Sequence, residues 1–307
     1  MLIRNKDKIS SPDQIAEGFE SLGYICSESI ATAVYLACHL QKPILIEGPP
    51  GVGKTELAKK TAQYLNAELI RLQCYEGLDE SKALYEWKYG KQLLYTQLLK
   101  DQFGDVMRGA KGLDESVERL HQFGDVFYSP EFLEPRPLLQ ALQAEDGAIL
   151  LIDEIDKADQ EFEAFLLEML SDYQVTVPEL GTVKAVSTPI VVLTSNNTRE
   201  LGDALKRRCL HLYIPFPEAE MEQQIIASQV PEMEPALRQQ VVDFVAKVRE
   251  LPLKKAPAVS ETIDWARTLL LLNVESLDRE WVTKTLNLLL KFQEDVELAN
   301  AELHKLI

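Results

Sequence analysis

Short apolar runs alternate with longer amphipathic stretches over the first two thirds of the chain. PILIEG (43–48), ELIRLQC (68–74), GAILLIDE (147–154), TPIVVLTSN (188–196) and CLHLYIPF (209–216) each carry four to eight mainly apolar residues and read as strands. Helical patterns lie between and before them. Residues 10–40 look helical, with a Ser–Pro start at SSPDQIAEGF that suits a cap followed by proline in the first turn. KTELAKKTAQYLNA places Leu57, Ala58, Thr61 and Leu65 along one face. KADQEFEAFLLEMLSDY places Phe162, Phe165, Leu166, Met169, Leu170 and Tyr173 at i, i+3, i+4, i+7, i+8 and i+11. Strands alternating with helices predict an α/β fold with a parallel sheet covered on both faces.

After PFPEAE only helical periodicities occur, in EAEMEQQIIASQV, PALRQQVVDFVAKVREL, SETIDWARTLLLL and the long LDREWVTKTLNLLLKFQEDVELANAELHKLI. These place a domain boundary at Pro217, with an α/β domain over 1–217 and a small all-α domain over 218–307. Two segments exceed a minimal α/β unit. An insert of about residues 76–135 separates the second and third strands, far longer than an ordinary connection. Within it Tyr85, Trp87 and Tyr89 alternate at period two, which favours a β-ribbon over a short helix, and QFGDV occurs at 102–106 and 122–126, too little repetition for a solenoid. The second segment, YQVTVPELGTVKAV (about 173–186), has β-rich arms around Pro178–Gly181 and predicts a hairpin.

Charge narrows the function classes. The formal net charge is −17, with 16 acidic against 10 basic residues in 218–307. Such a field repels phosphate backbones and argues against general nucleic-acid binding. Cys26, Cys38, Cys74 and Cys209 form no CxxC pair, so neither a disulfide framework nor a zinc site is expected. The start MLIRNKDKIS lacks the apolar stretch of a signal peptide, and no run approaches the roughly 18 apolar residues of a membrane span. A soluble, cytoplasmic protein without membrane attachment is expected. His39, His121, His211 and His304 build no metal or nucleophile constellation. Against the acidic background, DALKRRC (203–209) stands out as three consecutive basic side chains.

GPPGVGKT (Gly48, Pro49, Pro50, Gly51, Val52, Gly53, Lys54, Thr55) satisfies G-x4-G-K-[ST], with an apolar strand before it and the helix KTELAKKTAQYLNA running on from it, and these residues with Glu56 are the expected nucleotide-binding set. Glycines let backbone N–H groups turn inward around phosphate oxygens, and the helix N-terminus adds positive dipole. Lys54 is suited to reach the β/γ-phosphates and the Thr55 hydroxyl to ligate Mg2+. ILLIDE (149–154) ends a strand in two carboxylates beside that loop. Asp153 is suited to hold Mg2+ through its water shell, and Glu154 to polarise an attacking water. Asp156 and Lys157 read as a solvated turn. LTSNN (193–197) closes the next strand, and Asn196 offers an uncharged contact for a γ-phosphate or the water, although turn chemistry also favours asparagine there.

The order of phosphate loop, Asp–Glu strand end, polar strand end, basic pair and helical lid resembles the AAA+ ATPases. EFLEPRPLLQALQAEDGAILLIDE looks like their helix-2 insert, and YQVTVPELGTV like the hairpin before the sensor-1 strand, both features of the MoxR branch. GYICSESIATAVYLACHLQKPILIEGPPGVGKTELAK and LYEWKYGKQLLY are most similar to the CoxD-like subgroup, associated with maturation of carbon-monoxide-dehydrogenase-type enzymes. The resemblance implies that Gly23, Tyr24 and Ile25 contact adenine, and that an arginine finger lies at Arg208, with Arg207 as second choice. MoxR-type sequences usually carry Asp-Arg-Phe at that point, whereas this chain has Lys206-Arg207-Arg208-Cys209. The lid departs further: Ser260-Glu261-Thr262 stands where a Ser-Pro-Arg is common. Arg267, five residues on and about 140° around the helix, is the candidate left for the sensor-2 arginine that contacts the γ-phosphate, and a poor geometric substitute for it. Ser260 reads as an N-cap with Glu261 in the first turn.

The resemblance implies Mg2+-dependent ATP hydrolysis by a hexameric ring that remodels or matures a client enzyme carrying a metal or molybdenum cofactor. It also implies a partner with a von Willebrand factor A domain. A nucleic-acid motor or loader and a nucleotide-gated scaffold with little turnover share the same parts; the charge disfavours the first.

Overall fold

The computed structural model describes residues 8–98, 129–178 and 180–306. Both QFGDV copies and His121 lie outside the described residues. Nine strands are described: β1 (Ile44–Glu47), β2 (Glu68–Gln73), β3 (Tyr85–Trp87), β4 (Leu133–Pro135), β5 (Ala148–Asp153), β6 (Gln174–Val177), β7 (Gly181–Lys184), β8 (Ile190–Ser195) and β9 (Leu210–Tyr213). Five of them form one sheet in the order β2-β5-β8-β1-β9, with every neighbouring pair parallel. Register places Gln73 opposite Asp153 and Glu47 opposite Ser195, so the carboxyl ends of β1, β2, β5 and β8 share one edge of the molecule.

Period-two alternation divides the buried strands between two layers. Ile44, Ile46, Ile149, Leu151 and Val192 pack under the helices Pro12–Ser21, Glu28–Leu40 and Lys54–Leu65. Leu45, Leu150, Ile152, Val191 and Leu193 pack against Pro137–Gln143 and Gln160–Asp172. The helical stretch at 10–40 is two helices. Ser11 caps the first by accepting from Gln14 N at 3.2 Å, and Ser27 caps the second by accepting from Ile30 N at 3.4 Å. Between them Gly23 sits at φ 75, a conformation that favours glycine and turns the chain.

The insert begins as the ribbon that Tyr85 and Trp87 suggest, with β3 pairing antiparallel to β4. Their rings meet edge to face at 5.8 Å, and Trp87 is buried in the core. Tyr89 departs from the period-two reading, because it opens the helix Tyr89–Leu98 that carries Gly90 in its first turn. The hairpin forms where the sequence places it, with Gln174 opposite Lys184 and Val177 opposite Gly181.

From Ala219 onward the described chain is helical: Ala219–Gln229, Pro235–Arg249, Val259–Leu271, Arg279–Leu289, Gln293–Ala301 and Leu303–Leu306. These helices enclose a core of their own around Val241, Phe244, Trp265, Leu269 and Leu286. The last helical pattern is interrupted at Leu290, which has extended backbone and stays buried between the helices Arg279–Leu289 and Gln293–Ala301. No helix among the described residues is long and apolar enough to cross a membrane.

Trp265 is fully buried, stacks at a tilt on Phe244 at 5.3 Å and donates from Nε1 to Thr285 Oγ1 at 2.8 Å. Trp265→Ala is expected to cost about 3–5 kcal/mol, measured by chemical denaturation, because it leaves a cavity and removes the donor to Thr285, whose hydroxyl keeps its own bond to the Trp281 carbonyl at 2.7 Å.

Candidate functional site

The loop from Gly48 to Gly53 leaves β1 and enters the helix Lys54–Leu65. Three of its residues need to be glycine. A Cβ on Gly48, at φ 150, would lie 2.1 Å from the Ile214 carbonyl oxygen, and Gly51 and Gly53 have φ of 74 and 94. A Cβ on Gly51 would also meet Ala258 Cβ at 2.4 Å and Ser260 Oγ at 2.7 Å. The start of the helix Val259–Leu271 therefore rests directly on the loop. The cap of that helix differs from the sequence reading: the N-cap is Ala258, and Glu261 Oε2 accepts from its backbone N at 2.6 Å. Ser260 lies inside the first turn because Glu261, three residues after Ala258, closes the cap.

Lys54 is buried, and its Nζ donates to the Gly48 and Pro49 carbonyls at 2.7 Å each and to Asn196 Oδ1 at 2.8 Å. Desolvation lowers its pKa from 10.5 to about 8, against an opposing pull from Asp156, Asp153 and Glu154. Next to it, Asp153 ends β5 almost wholly buried. Its Oδ1 accepts from Thr55 Oγ1 at 3.0 Å and Thr194 Oγ1 at 2.6 Å, and its Oδ2 accepts from Arg71 at 2.6 Å. Glu154 has left-handed backbone at φ 57, fastened by its N–H to Thr194 Oγ1 at 2.9 Å. Its carboxylate accepts from Gln73 at 2.8 Å, Asn196 at 3.2 Å and Lys157 at 2.6 Å.

Lys54, Thr55, Asp153, Glu154 and Asn196 thus meet in one hydrogen-bonded cluster. Asp156 belongs to its frame and is no solvated turn. It is buried and accepts from Asn196 N at 3.2 Å, Thr198 N at 3.0 Å and Thr198 Oγ1 at 2.6 Å. Burial alone would raise its pKa; the Thr198 and Asn196 hydrogen bonds outweigh that and hold the carboxyl below its usual value.

Beside the loop opens a cleft of about 760 Å3, lined by Gly23, Tyr24, Ile25, Gly51, Val52, Gly53 and Glu56, by Tyr213–Pro217, and by Ser260, Ile263 and Arg267. Gly23 O accepts from Gln229 Nε2 at 3.0 Å, which ties this linker to the first C-terminal helix. Desolvation pushes the Tyr24 phenol well above its usual pKa, with smaller upward contributions from Cys26 and Glu56. Glu56 pairs with Lys59 at 3.3 Å and Lys60 at 3.7 Å. Arg267 is half-exposed and lies 3.7 Å from Asp264 in an ion pair.

Arg207 and Arg208 stand apart from the cluster, at the end of the helix Asp203–Arg208. The start of that helix is anchored by Gly202 N, which donates to the buried Glu163 at 2.9 Å. Arg207 is exposed. Arg208 donates from Nε to Ser171 Oγ at 2.5 Å and from Nη1 to the Ala204 carbonyl at 2.9 Å.

The site's residues suit a nucleoside triphosphate with Mg2+: a glycine cradle that a Cβ would fill, a buried lysine beside it, and a hydroxyl and a carboxylate already in contact. Sequence reasoning missed Arg71, Gln73 and Thr194. Arg71 and Gln73 share with Asp153 the face set by period-two alternation, but only the pairing of β2 with β5 brings them to it.

A family model described as AAA domain (dynein-related subfamily) matches residues 43–209, just over half of the chain. A Staphylococcus aureus protein described as uncharacterized is 27% identical over 238 residues, covering 75% of this chain and 76% of its own. A Staphylococcus haemolyticus protein, also described as uncharacterized, is 25% identical over 250 residues, covering 79% and 81%. Among solved structures, a point mutant of Thermotoga maritima RuvB is similar at TM-score 0.49 and 16% identity, over 90% of this chain and 72% of that one. Another form, titled the Thermotoga maritima RuvB Holliday junction branch migration motor, is similar at TM-score 0.45 and 14% identity, over 93% and 69%.

A phosphate ligand beside Lys54 stabilises its protonated form and returns its pKa from about 8 towards 10.5. Binding of ATP is therefore expected to take up protons increasingly between about pH 7.5 and pH 9, because the free site loses its proton there while the bound site keeps it. Calorimetry in buffers of different ionisation enthalpy measures this, and Lys54→Ala is expected to abolish the rise.

Proposed function

We propose that this chain, which belongs to the AAA domain family (dynein-related subfamily), hydrolyses ATP with Mg2+ as one subunit of a ring and uses the turnover to remodel or mature another protein. The observation that carries the catalytic part is the contact of Lys54, Thr55, Asp153, Glu154 and Asn196 in one cluster beside the glycine cradle.

On this reading the inward N–H groups of Gly51 and Gly53 and the start of the helix Lys54–Leu65 bind the phosphates. Lys54 exchanges its loop carbonyls for β/γ oxygens. Thr55 and Asp153 hold Mg2+, which when bound neutralises charge on those oxygens. Glu154 takes a proton from the attacking water as its oxygen bonds to the γ-phosphorus, and ADP departs with the bridging oxygen. Asn196 touches both Lys54 and Glu154, so it is placed to hold the water between them. Gly23, Tyr24 and Ile25 offer a floor for adenine between the linker and the lid. Arg267 lies on the lid side of the same cleft and adds cationic character there.

The ring is hexameric on this reading, and the pair Arg207–Arg208 supplies positive charge to a neighbour's γ-phosphate. Arg207 is free to reach across, whereas Arg208 would have to leave Ser171. The MoxR-like, CoxD-like inserts support a client enzyme with a metal or molybdenum cofactor and a von Willebrand factor A domain partner. The net charge of −17 supports a protein client over a nucleic acid. A second reading, a nucleotide-gated scaffold, has one observation in its favour: both Glu154 oxygens are engaged by donors.

Glu154→Gln is expected to bind ATP and lose turnover by at least about a hundredfold, since general-base catalysis is worth that much or more. Phosphate release checks it, and unchanged turnover would contradict the assignment of the base. Proteins held by the ATP-trapped variant identify the client and partner by mass spectrometry. ATPase stimulated by DNA, with salt-sensitive binding, would place the chain among nucleic-acid motors instead. Of Arg207→Ala and Arg208→Ala, the one that removes the finger is expected to keep nucleotide binding and lower turnover by about 10³-fold or more. If neither does, charge donation across the ring is wrong.

A further inference from the structure

The cluster contains a cation that neither the phosphate loop nor the basic helix supplies. Arg71 lies on β2 opposite Leu151, two residues before Gln73, and its guanidinium donates to Asp153 Oδ2 at 2.6 Å. The two ends of this pair differ sharply in exposure: the Arg71 side chain is 49% exposed and that of Asp153 3%. Asp153 Oδ1 is taken by two hydroxyls, leaving Oδ2 to Arg71. A carboxylate so buried needs a positive partner, because an uncompensated charge out of water is costly. The same carboxylate is the one that would hold a divalent cation beside Thr55. Two cations bidding for one carboxylate repel each other, and the half-exposed arginine is the one that can swing into solvent.

We propose that Arg71 is a latch on the metal carboxylate: it neutralises Asp153 until a divalent cation arrives, and by competing it sets how much Mg2+ the nucleotide site requires. The inference rests on the ATPase reading and adds a regulatory residue to it. The latch also reaches the base. The same Arg71 nitrogen donates to Gln73 Oε1 at 2.5 Å, and the Gln73 amide donates to Glu154 Oε2 at 2.8 Å. Displacement of Arg71 leaves Gln73 free to re-aim, so metal arrival and the setting of Glu154 are joined through one side-chain chain of contacts.

The test is the affinity of full-length protein for a fluorescent ATP analogue, titrated with Mg2+ and repeated in EDTA. It compares wild type, Arg71→Met and Arg71→Lys, with Arg71→Gln as a second uncharged variant should the methionine protein not fold. The latch predicts that the uncharged variants half-saturate at about fivefold lower Mg2+, the scale of one partly exposed ion pair. It also predicts that they bind the analogue more weakly in EDTA, because unneutralised Asp153 repels phosphate, and that Arg71→Lys stays near wild type. An unchanged Mg2+ requirement in the uncharged variants overturns the latch, and so does a raised one, which would make Arg71 a support that orients Asp153 for the metal. Wild-type protein that binds no nucleotide at any Mg2+ concentration contradicts the ATPase reading itself, a result distinct from either.

Discussion

The buried carboxylate of Asp153 is where the separate parts of this molecule are tied together. It ends strand β5, which lies between β2 and β8, and accepts from Thr55 on the phosphate-loop helix, Thr194 on β8 and Arg71 on β2. Thr194 in turn accepts the Glu154 N–H, which holds that residue in its left-handed turn. One charged group therefore sets the spacing of three neighbouring strands and of the loop that enters the helix. Hydrogen bonds to an ionised, desolvated acceptor are stronger and shorter than neutral ones. That strength lets a cluster of polar side chains persist at the edge of a sheet whose buried positions are mainly aliphatic.

The C-terminal helices are joined to this cluster by close packing. Gly51 leaves room for the small side chains of Ala258 and Ser260, which pack directly on the loop at the start of the helix Val259–Leu271. Elsewhere the joint is electrostatic. Arg249 forms a double hydrogen bond with the buried Glu222 at 2.6 and 2.8 Å, donates to the Pro257 carbonyl at 2.9 Å and sits 4.8 Å over the Phe216 ring. Phe216 lines the cleft, and Pro257 precedes the helix that rests on the loop. A guanidinium with that many fixed partners makes the approach of the helices to the cleft a defined geometry, which a nucleotide in the cleft would read.

Much of this is legible in the sequence because it is local. The strands β1, β2, β5, β8 and β9 fall inside the apolar runs that suggest them, and the phosphate loop lies between strand and helix as its spacing demands. What the sequence conceals is non-local. Arg71 is an ordinary polar residue of an edge strand until β2 pairs with β5. Asp156 looks like a turn residue until β8 places Asn196 and Thr198 against it. The cap at Ala258 is hidden for a different reason: alanine gives no capping signal, and Glu261 supplies the cap by reaching back. Tyr89 misleads because two alternating aromatics continue by chance into the first residue of a helix.

Nucleotide binding by Asp153→Asn, followed as a function of Mg2+, tests the central claim most directly. Asparagine keeps the size of the side chain and can still accept from Thr194 while removing the charge that holds the metal. If Asp153 unites the metal with the phosphate loop, the variant retains ATP binding in EDTA and gains little affinity when Mg2+ is added. A variant whose affinity rises with Mg2+ as steeply as the wild type's would contradict the account.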